Sequence, residues 1–273
     1  MNKVQNCSTS EFEHLHRRRI SIIEDFEGPL LAISCDYQAG YSVRLHRHRR
    51  AQLLYARAGV VMVASSQGRW MVPPEHALWI PPEIAHSVDM IGNVIMLSAY
   101  IEPGAVGGLP HGVRVVSPTA LLRSLIIEAV ALRFEHDLDR RATLITELLL
   151  LEIPRVPEQP LGLPFPADPR LARLCRDFLD EPSPHLAIDH WAQVMAMSRR
   201  AFTRAFRRET GLSLATWRQQ ACLFTAVPRL ANGEAVTSVA LDLGYESVAA
   251  FTTMFKRILG ASPRSYVGSI KER

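Results

Sequence analysis

The sequence VTSVALDLGYESVAAFTTMFKRILGASPRSY, residues 236–266, contains the pattern that decides the fold of the C-terminal part of the chain. Its apolar residues recur every three or four positions in two short segments, 236–243 and 247–259, and this spacing is typical of amphipathic helices. Gly244 separates the two segments, and Ser247 is a residue type that often caps the first turn of a helix. The stretch therefore predicts a helix, a tight turn and a second helix.

A second unit of this kind precedes it, with helices predicted over residues 187–196 and 199–210. Ser198 stands at the N-cap position of the second helix, which contains five arginines: Arg199, Arg200, Arg204, Arg207 and Arg208. Arginine donates paired hydrogen bonds to guanine edges and to phosphates, so such a helix suits the major groove of DNA. A solvated charged face is the alternative interpretation of the same arginines.

Basic residues are concentrated in this helical part. The chain has 273 residues and a formal net charge of +4. Residues 170–273 contain 15 Lys/Arg and 9 Asp/Glu, a net charge of +6, whereas residues 1–169 contain 16 and 18, a net charge of −2. The length exceeds what one hydrophobic core usually holds, so two domains are predicted, and the C-terminal one is basic.

The spacing V-A-L-D-L-G-Y-x-S-x-x-A-F-x-x-M-F-K-R-x-L-G-x-S-P-x-x-Y, preceded by MSRRAFTRAFRRETGLSLATWRQQ, resembles the AraC/XylS family of bacterial transcription regulators. The resemblance implies two helix-turn-helix units joined by a long helix at 214–231, each placing its second helix in the DNA major groove. It also implies the DNA-contacting residues: Arg199, Arg200, Thr203, Arg204 and Arg207 in the first unit, and Ala249, Thr252, Thr253, Lys256 and Arg257 in the second. Arginine makes stronger base contacts than alanine or threonine, so the first unit is expected to dominate specificity.

Two positions in this region depart from the family's pattern. Ala196 occupies the first turn, where the family often has glycine, so a positive φ at this residue would be strained. Pro228 lies inside the predicted connecting helix and should kink it or mark its last turns, because proline lacks the backbone N–H. Either departure would alter the spacing between the two DNA contacts.

Short apolar or alternating segments between residues 30 and 101 predict an all-β barrel or sandwich. Helices are predicted at 119–133, beginning at Ser117 and Pro118, and at 138–152. Six prolines between residues 154 and 169 predict an extended linker. The expected fold class is α+β multidomain, in four parts: a cupin-like β-barrel (1–117), a helical dimerisation or capping segment (118–152), the linker (153–168) and an all-α double helix-turn-helix domain (169–268).

The β-segment contains the spacing G-x5-H-x-H-x3-Q-x6-G at residues 40–59, which resembles the first motif of the cupin superfamily. Its histidines are His46 and His48, and Gln52 stands where metal-binding members usually carry glutamate. Residues two apart on a strand point to the same face, so both histidines would enter the barrel.

The second cupin motif, P-x-G-x-x-H, is matched by Pro81 and His86, with Glu83 in place of the glycine. His86 would then complete a three-nitrogen site with the first two histidines, and such a donor set suits Fe, Ni, Zn or Mn. The alternative is a barrel without a metal, because Gln52 is neutral. In that case the same side chains would hydrogen-bond a small effector in an apolar pocket.

Together the two resemblances imply a cytoplasmic transcription regulator whose cupin-like half senses a small molecule or metal and whose helical half binds double-stranded promoter DNA. A homodimer is expected through the helices of segment 118–152, since the apolar face of the second is too wide for an exposed helix. RNA polymerase is a further partner if the protein is an activator. The alternatives are a metal-dependent cupin enzyme, a dioxygenase or isomerase with an accessory DNA-binding domain, and an architectural DNA-coating protein.

Several sequence motifs are absent, and their absence excludes some of the possible protein classes. The chain contains no phosphate loop, no G-x-S-x-G elbow and no dinucleotide fingerprint, so no enzyme is expected and no catalytic residue is assigned. The four cysteines are scattered without a C-x-x-C pair, which indicates a reducing cytoplasm. No apolar run approaches the roughly 18 residues of a membrane span, and the N-terminus lacks the apolar core of a signal peptide, so no membrane association is expected.

Overall fold

The structure is a computed structural model that describes residues 18–132, 140–180, 182 and 187–271. An antiparallel sheet forms the N-terminal part and helices form the C-terminal part, so the predicted fold class is confirmed. Within the described ranges, no helix combines the length and the apolar character needed to cross a bilayer.

The first element among the described residues is helix α1, residues 18–25. The strands follow in the order β1 (Leu30–Tyr37), β2 (Ser42–His46), β3 (Ala51–Ser65), β4 (Gly68–Val72), β5 (Ala77–Ile80), β6 (His86–Ile101) and β7 (Arg114–Val116). Two short strands, β8 (Glu158–Gln159) and β9 (Gly162–Pro164), come later in the chain.

The helices after the main strands are α2 (Ala120–Ala131), α3 (Arg140–Glu152) and a 3-10 turn (Ile153–Arg155). The C-terminal helices are α4 (Pro169–Asp180), α5 (Ile188–Val194), α6 (Arg199–Thr210), α7 (Leu214–Ala231), α8 (Val236–Asp242), α9 (Val248–Leu259) and α10 (Pro263–Lys271). The predicted bounds 199–210 and 214–231 agree with those of α6 and α7.

The long strands β3 and β6 form the centre of the sheet, whose main strand order is β1-β6-β3-β5-β7-β8. β2 also pairs with β6, and β4 pairs with β3 and β9. Side chains of β3 alternate between two cores, because Leu53 and Tyr55 pack with α2 and α3 while Leu54 and Ala56 face the interior of the sheet domain. The two helices therefore cover the outer face of the sheet.

Gly59 lies at an irregularity in the antiparallel pairing of β3 with β6. Its φ is +73°, and the pairing register shifts on both sides of Ala58. A Cβ atom at this position would lie 2.4 Å from the carbonyl oxygen of Asn93, so only glycine fits without a backbone shift. The last glycine of the first cupin-like motif is therefore a packing requirement of the two central strands.

The start of α2 differs from the sequence prediction. The helix begins at Ala120, and Thr119 caps it by accepting a hydrogen bond from the Leu122 N–H at 3.1 Å. Ser117 was predicted as the cap, but its backbone N–H donates to Pro157 in the neighbouring segment, which holds it outside the helix. The predicted end of this helix and the predicted start of the next lie outside the described residues.

The proline-rich segment 153–168 begins with the 3-10 turn Ile153–Arg155 and is extended at its two short strands, β8 and β9, which are part of the sheet. β8 pairs with β7, and β9 pairs with β4. Leu161 and Leu163 are buried at 4% and 0% exposure, and this burial stabilises a segment that prolines alone would leave as a free linker. The connection between the two parts of the chain is therefore attached to the sheet before α4 begins.

Three departures from the family patterns, Ala196, Glu83 and Pro228, have visible consequences for the backbone. Ala196 has a φ of +53°, so the alanine adopts the left-handed conformation that glycine would adopt without strain. Glu83, which replaces the glycine of the second cupin-like motif, has a φ of +62°. Pro228 lies in the last turn of α7, which ends three residues later at Ala231. The prediction that this proline marks the end of the connecting helix is confirmed.

Candidate functional site

The first candidate site is the exposed face of α6. Trp191 of α5 packs edge-on against Phe202 and Phe206 of α6, with ring centroids 6.3 and 6.2 Å apart. Because these two phenylalanines are buried, the opposite face of α6 points outward. The five predicted contact residues of this unit are all exposed: Arg199, Arg200, Thr203, Arg204 and Arg207.

The arginines of α6 differ in their surroundings. Arg199 lies 3.8 Å from the carboxylate of Asp189, and Arg208 forms an ion pair with Glu209. Among the described residues, no ion pair holds Arg200, Arg204 or Arg207. Arg200, Arg204 and Arg207 also recur at helical spacing on one stripe, so they are the guanidinium groups best placed to meet an anion.

The second unit presents a weaker surface on α9. Phe251 and Phe255 are buried, while Ala249, Thr253 and Lys256 are exposed. Thr252 is half-buried.

Arg257, which the resemblance places among the DNA-contacting residues, donates from Nη2 to Gln219 Oε1 at 2.7 Å. This residue therefore ties α9 to α7.

The second candidate site is the histidine cluster predicted from the cupin-like motifs. His46 and His86 are cross-strand partners in β2 and β6, and His48 follows directly after β2. One ring nitrogen from each histidine lies within 4.8 Å of the other two, and His48 and His86 are buried. The tertiary structure thus brings the three predicted side chains together.

Backbone carbonyls orient all three rings. Nδ1 of His46 donates to Arg44 O at 2.9 Å, Nδ1 of His86 to Ile84 O at 2.8 Å, and Nδ1 of His48 to Arg50 O at 2.5 Å. A carbonyl oxygen only accepts, so Nδ1 carries the proton and Nε2 of each neutral ring keeps its lone pair. Hydrogen bonds of this kind orient metal-binding histidines.

The pKa of His46 is lowered, first by burial and then by the neighbouring His48, although its bond to the Arg44 carbonyl acts in the opposite direction. Burial disfavours the imidazolium, because a charged ring loses more hydration than a neutral one. The neutral ring, which is the form that binds metals, is therefore favoured at neutral pH.

Gln52 lies beside the cluster on β3. Its Nε2 donates to Ser98 Oγ at 2.9 Å and to Tyr100 OH at 3.2 Å, and its Oε1 lies 3.1 Å from His48 Nε2. With His48 protonated at Nδ1, these last two atoms are both acceptors and repel each other. A cation or a proton between them removes the repulsion, as does a turn of the amide. The donor set and this contact fit a bound cation.

The cavity around the histidines is small. Its free volume is about 20 Å³, and α1 closes it through Arg19, Ile20 and Ile23. A single water molecule needs about 10–15 Å³ of such volume, so the cavity holds an ion and little else in this conformation. Sequence reasoning did not find α1, Ser98 or Tyr100, because only the strand register and the packing of α1 bring them to the cluster.

The fold and both sites are those of a two-part regulator, and comparisons with known proteins agree. Residues 30–156 match the model of the AraC-like ligand binding domain, and residues 191–269 match a helix-turn-helix domain model. The HTH-type transcriptional regulator NimR of Escherichia coli (strain K12) is 34% identical over 226 residues, covering 83% of this chain and 82% of NimR. The chain belongs to the AraC family of transcriptional regulators, as the sequence resemblance predicted.

Two further similarities are more distant. The HTH-type transcriptional regulator RipA of Corynebacterium glutamicum is 23% identical over 216 residues, which is 79% of this chain and 61% of RipA. A crystal structure of ToxT from Vibrio cholerae covers 89% of this chain and 99% of its own, with 8% identity and a TM-score of 0.38. The two family models and the similarity to NimR make the protein an AraC-type transcriptional regulator with a ligand-binding domain.

Proposed function

We propose that α6 and α9 bind double-stranded promoter DNA and that a divalent transition metal, held by His46, His48 and His86, is the effector that controls this binding. One observation carries the proposal for the effector: three ring nitrogens within 4.8 Å of one another, in a cavity too small for an organic molecule. Three imidazoles suit Zn, Ni, Fe or Mn, and the Gln52 carbonyl is a fourth, neutral donor.

The geometry needs only a small adjustment to hold such an ion. A tetrahedral Zn²⁺ with nitrogen ligands at about 2.0–2.1 Å keeps its donors about 3.4 Å apart. The nitrogens of the cluster lie up to 4.8 Å apart, so the rings must move inward by roughly an ångström. A metal changes DNA affinity only if it binds the DNA-competent arrangement more or less tightly than the other arrangement.

Replacing His86 with alanine should weaken Zn²⁺ binding by about tenfold to a hundredfold or more, because one of three nitrogen donors is lost. Gln52→Glu should tighten it, because the carboxylate adds a charged donor. Isothermal titration of the full chain with Zn²⁺, Ni²⁺ and Mn²⁺ measures both effects. Fluorescence anisotropy with a promoter fragment then measures DNA affinity with and without the metal.

His76→Ala is the matched control. His76 also donates from Nδ1 to a carbonyl two residues earlier, Pro74 O at 3.0 Å, but it is outside the cluster. The proposal requires its metal affinity to stay at the wild-type value. The proposal is contradicted if the His86 and His76 variants have the same metal affinity. It is also contradicted if a bound metal leaves the affinity for the promoter fragment unchanged.

The arginine stripe of α6 is proposed as the main source of DNA sequence preference. Arg204→Ala should reduce the discrimination between a specific site and random DNA by about 1–3 kcal/mol if the guanidinium contacts a base. Fluorescence anisotropy in competition with the specific site and with random DNA measures this discrimination. Arg173→Ala on α4, whose side chain is 81% exposed, is the control and should change neither affinity. An equal loss on both DNAs would assign Arg204 to a phosphate instead.

A homodimer is proposed through α2 and α3, with RNA polymerase as a further partner if the protein is an activator. The two helices bury one face on the sheet, yet four of their leucines are 43–52% exposed: Leu121, Leu144, Leu148 and Leu151. Leu148→Glu should convert a dimer to a monomer in multi-angle light scattering, because the charge would be buried at the contact. Leu241→Glu, at a 58% exposed leucine on α8, should leave the dimer intact. A monomeric wild-type chain would refute this contact.

A further inference from the structure

Two hydroxyl groups of β6 hold the side chain of Gln52 beside the histidine cluster. Gln52 Nε2 donates to Ser98 Oγ at 2.9 Å and to Tyr100 OH at 3.2 Å, so both of its hydrogens are used. The sheet register explains these contacts, because Gln52 lies opposite Tyr100 and Leu54 lies opposite Ser98. Ser98 is therefore the diagonal neighbour of Gln52 on the same face of the sheet.

All three side chains are shielded from water. Gln52, Ser98 and Tyr100 are 3%, 2% and 8% exposed. A buried polar group that loses its hydrogen-bond partner is costly, because no solvent replaces that partner. The two hydroxyl groups, rather than water, therefore set the orientation of the Gln52 amide.

The Ser98 hydroxyl suits the nitrogen end of the amide. Burial raises the pKa of Tyr100, and a hydrogen bond with Ser98 acts in the opposite direction, as expected when the serine donates to the phenol oxygen. The Ser98 proton is then engaged with Tyr100, and the serine oxygen is left to accept from an N–H group. This arrangement favours the amide nitrogen on the side of the hydroxyls.

The oxygen end of the amide faces the histidine cluster as a result. Gln52 Oε1 lies 3.1 Å from Nε2 of His48, whose Nδ1 donates to Arg50 O. If the amide turned over, its N–H would donate to the lone pair of His48 Nε2 and remove that nitrogen as a ligand. The orientation of the amide therefore decides whether Gln52 and His48 both act as donors or neither does.

We propose that Ser98 and Tyr100 are positioning residues that direct the Gln52 carbonyl oxygen to the metal and thereby set metal selectivity. The inference rests on the metal site proposed above. Mn²⁺ binds imidazole more weakly than Zn²⁺ does, and it prefers oxygen ligands. A firmly held oxygen donor therefore contributes a larger share of the binding free energy for Mn²⁺ than for Zn²⁺. Loss of this donor should shift the preference of the site toward Zn²⁺.

Isothermal titration of the full chain with Mn²⁺ and with Zn²⁺ tests this role. Tyr100→Phe keeps the ring against His48 but removes the hydroxyl, so it should weaken Mn²⁺ binding by about tenfold or more and Zn²⁺ binding by less. Ser98→Ala should change the two affinities in the same direction. Tyr37→Phe is the matched control, because Tyr37 lines the same cavity but its hydroxyl accepts from Arg19, at 3.3 Å. This control should keep the wild-type ratio of Mn²⁺ to Zn²⁺ affinity.

A double-mutant cycle separates positioning from a general packing defect. Gln52→Leu removes the amide, so adding Tyr100→Phe to it should change metal affinity by less than about twofold. The positioning role alone is overturned if the wild-type chain binds both metals and Tyr100→Phe has the same affinity ratio as Tyr37→Phe. It is also overturned if Tyr100→Phe has the same effect with and without Gln52. A wild-type chain that binds neither metal would overturn the metal site itself, and this inference with it.

Discussion

Replacing Trp217 with alanine should lower the free energy of unfolding of the DNA-binding half by about 3–5 kcal/mol. Trp217 is fully buried on α7, and its ring lies 5.9–6.2 Å from those of Phe178, Trp191 and Phe206. Alanine removes the indole from the centre of this aromatic cluster and leaves a cavity that rigid neighbours cannot fill. Urea unfolding, followed by far-UV circular dichroism and by loss of promoter binding, measures the effect.

Two comparisons separate the causes of this loss. Trp217→Phe keeps most of the volume but loses the hydrogen bond from Nε1 to Pro164 O at 2.9 Å, so it should cost only about 1 kcal/mol for the bond plus a smaller cavity term. Val194→Ala, at a half-exposed site on α5, should stay within about 0.5 kcal/mol of wild type. A Trp217→Ala protein as stable as Val194→Ala would show that the aromatic cluster is not the core of this half.

Arg50→Met should destabilise the sheet domain by about 3–5 kcal/mol. The Arg50 side chain is fully buried, and its guanidinium donates to Ile23 O at 3.1 Å, Gly28 O at 2.9 Å and Phe26 O. It also forms an ion pair with Glu102 at 2.9 Å. Methionine keeps the apolar stem but leaves these acceptors without their donor. Thermal unfolding gives the stability, and hydrogen exchange shows whether α1 separates from the sheet.

Arg49→Met is the matched control for the buried arginine. Arg49 is adjacent in sequence and also pairs with Glu102, at 3.0 Å, but its side chain is 50% exposed. Water screens an exposed ion pair, so its loss should cost at most about 1 kcal/mol. Similar losses for both variants would show that burial does not distinguish the two arginines. Retained protection of the α1 amides in Arg50→Met would show that this residue does not hold the helix.

The connection between the two halves suggests how an effector signal is transmitted. Trp217 donates to Pro164 O, and the buried Gln220 donates to Pro160 O at 2.8 Å. Both acceptors belong to the proline-rich segment, which pairs with β4 and β7. Helix α7 is therefore bonded directly to a segment of the sheet domain. A change in that sheet can therefore move the DNA-binding half, because no free linker separates the two parts.

Local features explain why much of the helical half was predictable. The limits of α6 and α7 follow from Ser198, Ser213 and Gly211, because a cap acts on residues within one helical turn. The predicted start of α2 was wrong because serine and threonine are both good N-cap residues, so residue type did not distinguish Ser117 from Thr119. Its hydrogen bond to Pro157, about forty residues away in sequence, removes it from the helix, and no local pattern contains that bond.

Some of the site was predictable for a similar reason. Fixed motif spacing identified His46, His48, Gln52 and His86, since residues two apart on a strand share a face. Spacing did not identify Ser98 and Tyr100, which hold the Gln52 amide. Those contacts depend on the register between β3 and β6, where Gln52 lies opposite Tyr100.

By itself, the sequence determined the family, the arginine-bearing helix and the donor types of the proposed metal site, because all three are set by residue identity at fixed spacing. Only the tertiary structure decided which groups meet. The burial of Arg50 over α1, the pairing of the proline-rich segment with the sheet, and the hydrogen bonds from the Gln52 amide to Ser98 and Tyr100 all join distant segments. Contacts of this kind form when several elements pack at once, and their free energy depends on that joint packing rather than on any local pattern.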